Sequence, residues 1–173
     1  KVDENARTTI NHLYAAGECT RTGLHGGNRL ASNSLLEAIV YAEAAAQHSL
    51  PLIDNINWCD EIPEWNDEGT TLNEEMVLIT QSEKEVNQIM QAYVGIVRSN
   101  LRLKRAFDRL ELIYKETESL FQRSVVSKEI CELRNIVNTA YLVIKSAMQR
   151  KESRGLHYTI DYPKKNEHIS LYD

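Results

Sequence analysis

GECTRTGLHGGNRLASNSLLE, residues 17–37, is the stretch that determines the fold class of this chain. It places a glycine-rich loop and an arginine directly before a segment of helical periodicity. Ser34 and Glu37 have the spacing of a capping box, in which a serine is followed three residues later by a glutamate. We therefore expect a helix from about Ser34 to about His48, before Pro51. The loop leads into the N-terminus of this helix, where unpaired N–H groups and the helix dipole favour an anionic ligand.

The residues before the loop are typical of a strand that presents a side chain to a ligand. Leu13–Gly17 is a short apolar run ending in glycine, which predicts a buried strand. Glu18 follows at the carboxyl end, where open α/β sheets place their ligands. Its carboxylate could accept hydrogen bonds from sugar or ribityl hydroxyls. From the residues alone, an ordinary surface acid is the simpler interpretation, because a single motif residue is weak evidence.

The loop itself allows two interpretations. Gly26 and Gly27 would let a ligand approach the backbone closely, although glycine pairs are also common in plain surface turns. Arg29 could hold a carboxylate in bidentate fashion, or it could form a structural salt bridge. Spacing alone does not decide between these roles.

Two longer patterns resemble a known family. Residues 13–18 read Leu-Tyr-Ala-Ala-Gly-Glu, and residues 22–37 read Thr-Gly-Leu-His-Gly-Gly-Asn-Arg-Leu-Ala-Ser-Asn-Ser-Leu-Leu-Glu. They are similar, almost position by position, to the L-aspartate oxidase family of the succinate dehydrogenase and fumarate reductase flavoproteins. The family more often has alanine where Gly27 stands, a change between small residues that should leave the chemistry unaltered. Thr22-Gly23-Leu24 and Ala31-Ser32 resemble the oxidases more than the dehydrogenases.

The resemblance implies a cofactor, a substrate class and site residues. The cofactor would be FAD, with Glu18 binding FAD and with Ser34 and Leu35 binding its flavin. Arg29 would bind a carboxylate of a dicarboxylic substrate, whereas His25 would shape the loop and not serve as the catalytic base. The implied reaction is oxidation of L-aspartate to iminoaspartate, by hydride transfer from the substrate Cα to the flavin, in quinolinate and NAD biosynthesis.

We expect the chain to be the C-terminal piece of such a flavoenzyme. It contains no Gly-x-Gly-x-x-Gly fingerprint, which this group uses to place the pyrophosphate on a helix N-terminus. The chain alone should therefore be catalytically silent and should bind FAD weakly or not at all. Unpaired strand edges in Lys1–Gly17 would invite association, so we expect this segment either to be rearranged or to be covered by another chain in a homo-oligomer. The sequence carries no signal for a channel to the next enzyme of the NAD pathway.

Composition excludes several other classes. The net charge is −5, and Lys and Arg are absent from residues 30–83, so a nucleic-acid partner gains no support. No apolar run is long enough to span a bilayer. The three cysteines are far apart and the five histidines lack ligand spacing, so we predict no metal and no disulfide framework. Reduced thiols favour a cytoplasmic location.

The second half of the chain predicts a helical bundle. Residues 51–76 form an acidic stretch interrupted by Pro63 and Gly69, which indicates an irregular linker. Three helices should follow, the first opening at a capping box at Ser82, the second after Ser99-Asn100, and the third capped by Ser127. Each carries apolar residues at the spacing of a helix that buries one face, and short connections make neighbouring helices antiparallel.

The predicted fold is thus mostly α. Residues 1–50 are the remnant of an α/β FAD-binding domain, 51–76 the linker, 77–152 the three-helix antiparallel bundle, and 153–173 an extended C-terminal tail. The tail contains Arg154 and His157 in a Ser-Arg-Gly-x-His segment that also resembles the family. These two residues could reach the flavin domain or another subunit, and structural docking is the simpler role.

Two other functions compete with the oxidase. A succinate dehydrogenase or fumarate reductase flavoprotein subunit would recognise a dicarboxylate through Arg29 in the same way. A non-enzymatic helical interaction module would use residues 82–151 as its working part, and Arg29 would then be dispensable.

Overall fold

A computed structural model describes residues 1–25, 29–57, 59, 61–72 and 75–167. In chain order its elements are α1 (Ala31–Ile53), α2 (Met76–Tyr93), β1 (Val97–Arg98), α3 (Asn100–Arg123), α4 (Lys128–Gln149) and β2 (Tyr158–Thr159). The mostly helical fold class predicted from the sequence is confirmed. The chain divides into two compact units, one built on Lys1–Pro63 and the other comprising Glu64–Glu167. The finer four-part division given above stays a prediction.

The expected strand at residues 13–17 is reduced to a single antiparallel bridge between Arg7 and Tyr14. The N–H of Thr8 donates to the Leu13 carbonyl at 3.0 Å, and the N–H of Ala15 donates to the Ala6 carbonyl at 3.0 Å. A strand is stabilised by pairing along its length, and the described residues around 13–17 have only this one bridge. Leu13 is accordingly 48% exposed and not buried.

Helix α1 is longer at both ends than the predicted helix. Leu30 is its N-cap, with extended backbone and no side-chain cap, so Ser34 lies inside the first turns and is not the N-cap. The Ser34 hydroxyl instead donates to the Leu30 carbonyl at 3.2 Å. Pro51 lies within the final turn of α1, where its missing N–H removes one hydrogen bond near the end of the helix and does not stop it.

Helices α2, α3 and α4 form the second unit as the predicted antiparallel bundle. Along α3 and α4, the ring of Phe107 packs at a tilt against that of Tyr141, whereas Glu118, further along α3, pairs with Arg134, which lies earlier on α4. Pairing that runs in opposite directions along the two helices shows that they are antiparallel. The bundle core contains Ile79, which precedes the predicted first helix. Its other residues come from the predicted apolar stripes: Val86, Ile89, Val94, Leu103, Ala106, Leu110, Ile113, Leu120, Ile130, Leu133, Val137, Ala140, Ile144 and Ala147.

Two of the predicted helix starts in the bundle agree with the structure, and one is wrong. The Ser99 hydroxyl accepts from the N–H of Arg102 at 3.2 Å, and the Ser127 hydroxyl accepts from the N–H of Ile130 at 3.4 Å. Helix α2, however, starts at Met76 and has already made more than one turn when it reaches Ser82. Residues 76–81 include no glycine or proline, so nothing stops the helix from extending toward its N-terminus past the capping-box pattern.

The C-terminal tail adds a short parallel pairing to the bundle. Val97 pairs with Tyr158 and Arg98 with Thr159, and the N–H of Ile160 donates to the Arg98 carbonyl at 2.9 Å. The tail is thereby attached to the connection between α2 and α3. No helix in the described part of the chain is long and apolar enough to cross a membrane.

Candidate functional site

The first unit contains a charged cluster centred on Glu37. Along α1, all of which is described, Glu37 is the only buried residue, with 3% of its surface exposed. Its Oε1 accepts a hydrogen bond from the Thr22 hydroxyl, and its Oε2 accepts from His25 Nε2 at 2.7 Å and from Arg29 Nη1 at 3.1 Å. One helix carboxylate therefore holds three side chains of the preceding loop.

The contacts of His25 fix its tautomer. A backbone N–H can only donate, so the Leu30 N–H at 3.3 Å makes His25 Nδ1 an acceptor. The proton of the neutral ring then lies on Nε2, from which it is donated to Glu37. Both ring nitrogens are occupied in contacts within the loop and α1. The expectation that His25 shapes the loop and is not the catalytic base stays a prediction.

The guanidinium of Arg29 is held by two hydrogen bonds among the described residues. Its Nη1 donates to Glu37 at 3.1 Å and its Nη2 donates to the Thr20 carbonyl at 3.3 Å. A guanidinium has five N–H donors, so these two contacts among the described residues leave three for a ligand. The side chain is 26% exposed, which gives a carboxylate access to those donors.

The cluster keeps Glu37 ionised. The hydrogen bond from Thr22 is the largest influence lowering the pKa of Glu37, and the hydrogen bond from His25 and the charge of Arg29 add to it. Burial opposes them, but the pKa of this carboxyl still lies below its ordinary value of 4.5. At neutral pH the site therefore combines an anionic Glu37 with a cationic Arg29.

The other predicted site residues lie outside this cluster. Glu18 is exposed and follows Gly17, whose φ of +88° lies in the left-handed region that favours glycine. Ser34 is half-buried, and Leu35 is 73% exposed. Because α1 starts at Ala31, the unpaired N–H groups of its first turn belong to residues before Ser34 and Leu35. The roles of these residues in binding FAD stay predictions, and Gly26 and Gly27 lie outside the described residues.

Sequence reasoning missed the role of Glu37. It was interpreted as the second half of a capping box, a role that the start of α1 at Ala31 rules out. A signal was present: a lone carboxylate among the apolar residues Leu35, Leu36, Ile39 and Val40, with polar candidates for partners upstream. Local spacing could not show that the loop folds back onto it.

A second buried carboxylate anchors the tail. Glu152, with no exposed surface, accepts from Arg150 Nη1 at 2.7 Å, from Arg154 Nε at 3.0 and 3.1 Å, and from the N–H of Asn166 at 2.9 Å. The hydrogen bond from Arg154 is the chief cause that lowers the pKa of Glu152 to about 2. Arg154 thus holds the tail within the bundle unit.

The imidazole of His157 also contacts the bundle unit. Arg98 Nη1 lies 2.8 Å from His157 Nδ1, and since a guanidinium only donates, Nδ1 is the acceptor. Burial, followed by the charge of Arg98, lowers the pKa of His157 below 6.5, which keeps the ring neutral. Among the described residues, no group of three or more His, Cys, Asp or Glu side chains is arranged to hold a metal ion.

The curated proteins that are similar to this chain include several L-aspartate oxidases. The chain is 44% identical over 162 residues to the L-aspartate oxidase of Vibrio cholerae, and 47% identical over 162 residues to that of Pseudomonas aeruginosa. Both alignments cover 94% of this chain and 30% of the relative. A chloroplastic L-aspartate oxidase of Nicotiana tabacum is 45% identical, over 90% of this chain and 26% of the relative. The chain therefore spans about 30% of the length of the curated relatives it matches.

Solved structures share the fold. The Sdh1 complex of Mycobacterium smegmatis in its apo form matches with a TM-score of 0.65 and 26% identity, over 87% of this chain and 27% of that one. A quinol-fumarate reductase with menaquinol molecules matches with a TM-score of 0.75 at 24% identity, over 99% of this chain and 32% of that one.

Two family models match the chain. The model described as FAD binding domain matches residues 1–35, the part that contains the loop. The model described as fumarate reductase flavoprotein C-term matches residues 83–172, more than half of the 173 residues. Because the second model covers more than half of the chain, the chain belongs to the fumarate reductase flavoprotein C-terminal family.

Proposed function

We propose that this chain is part of an FAD-dependent L-aspartate oxidase, which oxidises L-aspartate to iminoaspartate in the biosynthesis of quinolinate and NAD. The relatives named L-aspartate oxidase share 44% and 47% of their aligned residues with the chain, whereas the Sdh1 structure shares 26%. This difference supports the oxidase over the dehydrogenase branch. The cytoplasm is the proposed location.

The observation that carries the proposal is the guanidinium of Arg29, which uses only some of its N–H donors in contacts with the described residues. Glu37 and the Thr20 carbonyl hold one part of it, and the remaining donors are accessible to a carboxylate. Bidentate pairing of an arginine with a carboxylate adds both energy and orientation. Arg29 would therefore bind one carboxylate of L-aspartate and fix the position of the substrate Cα.

The exposed residues around the loop fit one end of FAD. The carboxylate of Glu18 is available for hydroxyl groups of the cofactor, and the positive end of the α1 dipole favours an electron-rich edge. We infer that Glu18, Ser34 and Leu35 line this end of the cofactor. When bound, FAD supplies the acceptor for the hydride that leaves the substrate.

The test uses the product of the complete gene that contains this chain, purified with FAD. Anaerobic bleaching of the flavin is followed after addition of L-aspartate and, separately, of succinate. We expect L-aspartate alone to bleach the flavin, and Arg29→Leu to abolish or greatly slow the bleaching. Arg105→Leu, which removes the same charge from the exposed surface of α3, is the matched control and should bleach normally.

The other outcomes identify the competing functions. Bleaching by succinate alone would place the protein in the dehydrogenase branch. Bleaching by neither substrate would refute the proposed reaction and favour the helical interaction module. Equal bleaching by the wild type and by Arg29→Leu would refute the role given to Arg29.

A further inference from the structure

We propose that Glu37 is a positioning residue, which orients the guanidinium of Arg29 for the substrate carboxylate. The inference rests on the proposed function, because it concerns the carboxylate-binding residue of that site. It adds a buried helix residue to the set that the reaction requires.

The hydrogen bonds of Glu37 indicate that this one side chain holds the loop in position. Thr22, His25 and Arg29 follow one another along the loop, and all three donate to the carboxylate of Glu37. An ionised carboxylate has about four acceptor positions, so these contacts nearly saturate it. The direction of the Arg29 side chain is consequently coupled to Glu37.

The position of Glu37 on α1 does not by itself explain why this carboxylate is buried. Along the same helix, Leu36 and Ile39 are 63% and 59% exposed, whereas Glu37 is 3% exposed. Burying a carboxylate is costly unless it is paired and hydrogen-bonded. The compensating partners all come from the loop that carries Arg29, so the cost is offset only when that loop is in place.

An electrostatic alternative predicts the opposite result. The negative charge of Glu37 opposes a second carboxylate at Arg29, so removing that charge would by itself strengthen substrate binding. If positioning dominates, removing the charge weakens binding, because the guanidinium loses its fixed plane. The sign of the change in affinity therefore separates the two explanations.

The experiment compares Glu37→Gln with the wild type in the FAD-loaded product of the complete gene. Anaerobic flavin reduction is measured over a range of L-aspartate concentrations, which separates the apparent Kd from the limiting rate. We expect the apparent Kd to rise by about tenfold or more with flavin content retained. Glu43→Gln is the matched control, since this exposed carboxylate on α1 accepts only from Gln47 among the described contacts.

A double-mutant cycle tests whether Glu37 acts through Arg29. In the Arg29→Leu background, where the binding of L-aspartate is followed by the shift of the oxidised flavin spectrum and not by bleaching, Glu37→Gln should produce no further change in the apparent Kd. Additive effects of the two substitutions would overturn the inference, as would unchanged or tighter binding by Glu37→Gln. If Glu37→Gln does not fold, the same measurements are made on Glu37→Asp. This variant keeps the negative charge, but its shorter side chain places the carboxylate further from Arg29.

A second readout keeps the inference testable if the proposed reaction fails. Nitrogen NMR of the histidine rings in the 173-residue chain reports the tautomer of His25, assigned with His25→Gln. We expect the Nε2–H tautomer in the wild type and in Glu43→Gln, and a shift of the His25 ring-nitrogen signals in Glu37→Gln, because Nε2–H loses its anionic acceptor. An unchanged His25 signal in Glu37→Gln would refute the coupling of the loop to Glu37. A wild-type flavin that L-aspartate cannot reduce would refute the proposed function alone.

Discussion

Replacing Glu152 by glutamine should strongly destabilise the unit Glu64–Glu167. Glu152 has no exposed surface, and its two oxygens accept from Arg150, Arg154 and the N–H of Asn166. Glutamine would present an NH₂ group to donors that now meet an oxygen, and it would leave the two guanidinium groups without their shared anion. Breaking a buried ion pair on one side costs about 3–5 kcal/mol. A typical domain has a total stability of only about 5–15 kcal/mol, so the change is large.

Urea unfolding of the 173-residue chain, followed by circular dichroism, measures this cost. Glu132→Gln is the matched control, because Glu132 is 66% exposed and lies 3.8 Å from Lys128. Its loss should change the free energy of unfolding by no more than about 0.5 kcal/mol. If Glu152→Gln costs as little as Glu132→Gln, then Glu152 does not anchor the tail.

The dependence on pH gives an independent check on the same group. The pKa of Glu152 is about 2 in the folded chain, below its ordinary value of 4.5. A lowered folded pKa means that the stabilisation is fully present above about pH 4.5 and is lost as the pH falls toward about 2. The difference in stability between the wild type and Glu152→Gln should therefore shrink over this window. A difference that stays constant with pH would refute the ionic origin of the stabilisation.

Three further substitutions test the fold. Leu110→Ala, at a site with no exposed surface, should cost about 2–5 kcal/mol in urea unfolding, whereas Leu112→Ala, at a 61% exposed site on the same helix, should cost little more than about 0.5 kcal/mol. Equal costs would contradict the orientation of α3. Ser99→Ala should cost about 1 kcal/mol by removing the N-cap of α3, while Ser99→Asp should retain most of the stability; equal losses would argue against capping. Gly17→Ala should cost about 1–2 kcal/mol in thermal unfolding, because φ there is +88°; an unchanged melting temperature would refute that conformation.

The bundle was predictable because its signals are local. Ser99 and Ser127 cap helices whose apolar residues recur every three or four positions, and both features depend only on nearby residues. The predicted starts at Ser34 and Ser82 failed because the same pattern can occur inside a helix. Whether the chain is helical before such a serine depends on the residues just upstream, and residues 31–33 and 76–81 contain neither glycine nor proline.

The candidate site was likewise predicted only in part from the sequence. The sequence singled out Arg29 as a possible carboxylate ligand, and left open whether it binds a ligand or forms a salt bridge. The structure pairs it with Glu37 and leaves other donors accessible, so the salt bridge is observed and the role in binding a carboxylate stays a prediction. The pairing could not be predicted from spacing, since it requires the loop to fold back onto a residue of the following helix.

The sequence by itself determined the family, the helical fold class and the apolar face that each bundle helix buries, because motifs and periodicity are properties of neighbouring residues. The tertiary structure decided which charges are buried together. Glu37 with Arg29, and Arg98 with His157, meet only after the chain has folded. The cost of burying a charged or polar group depends on the partners that folding brings within hydrogen-bond distance, and that information is not local in the sequence.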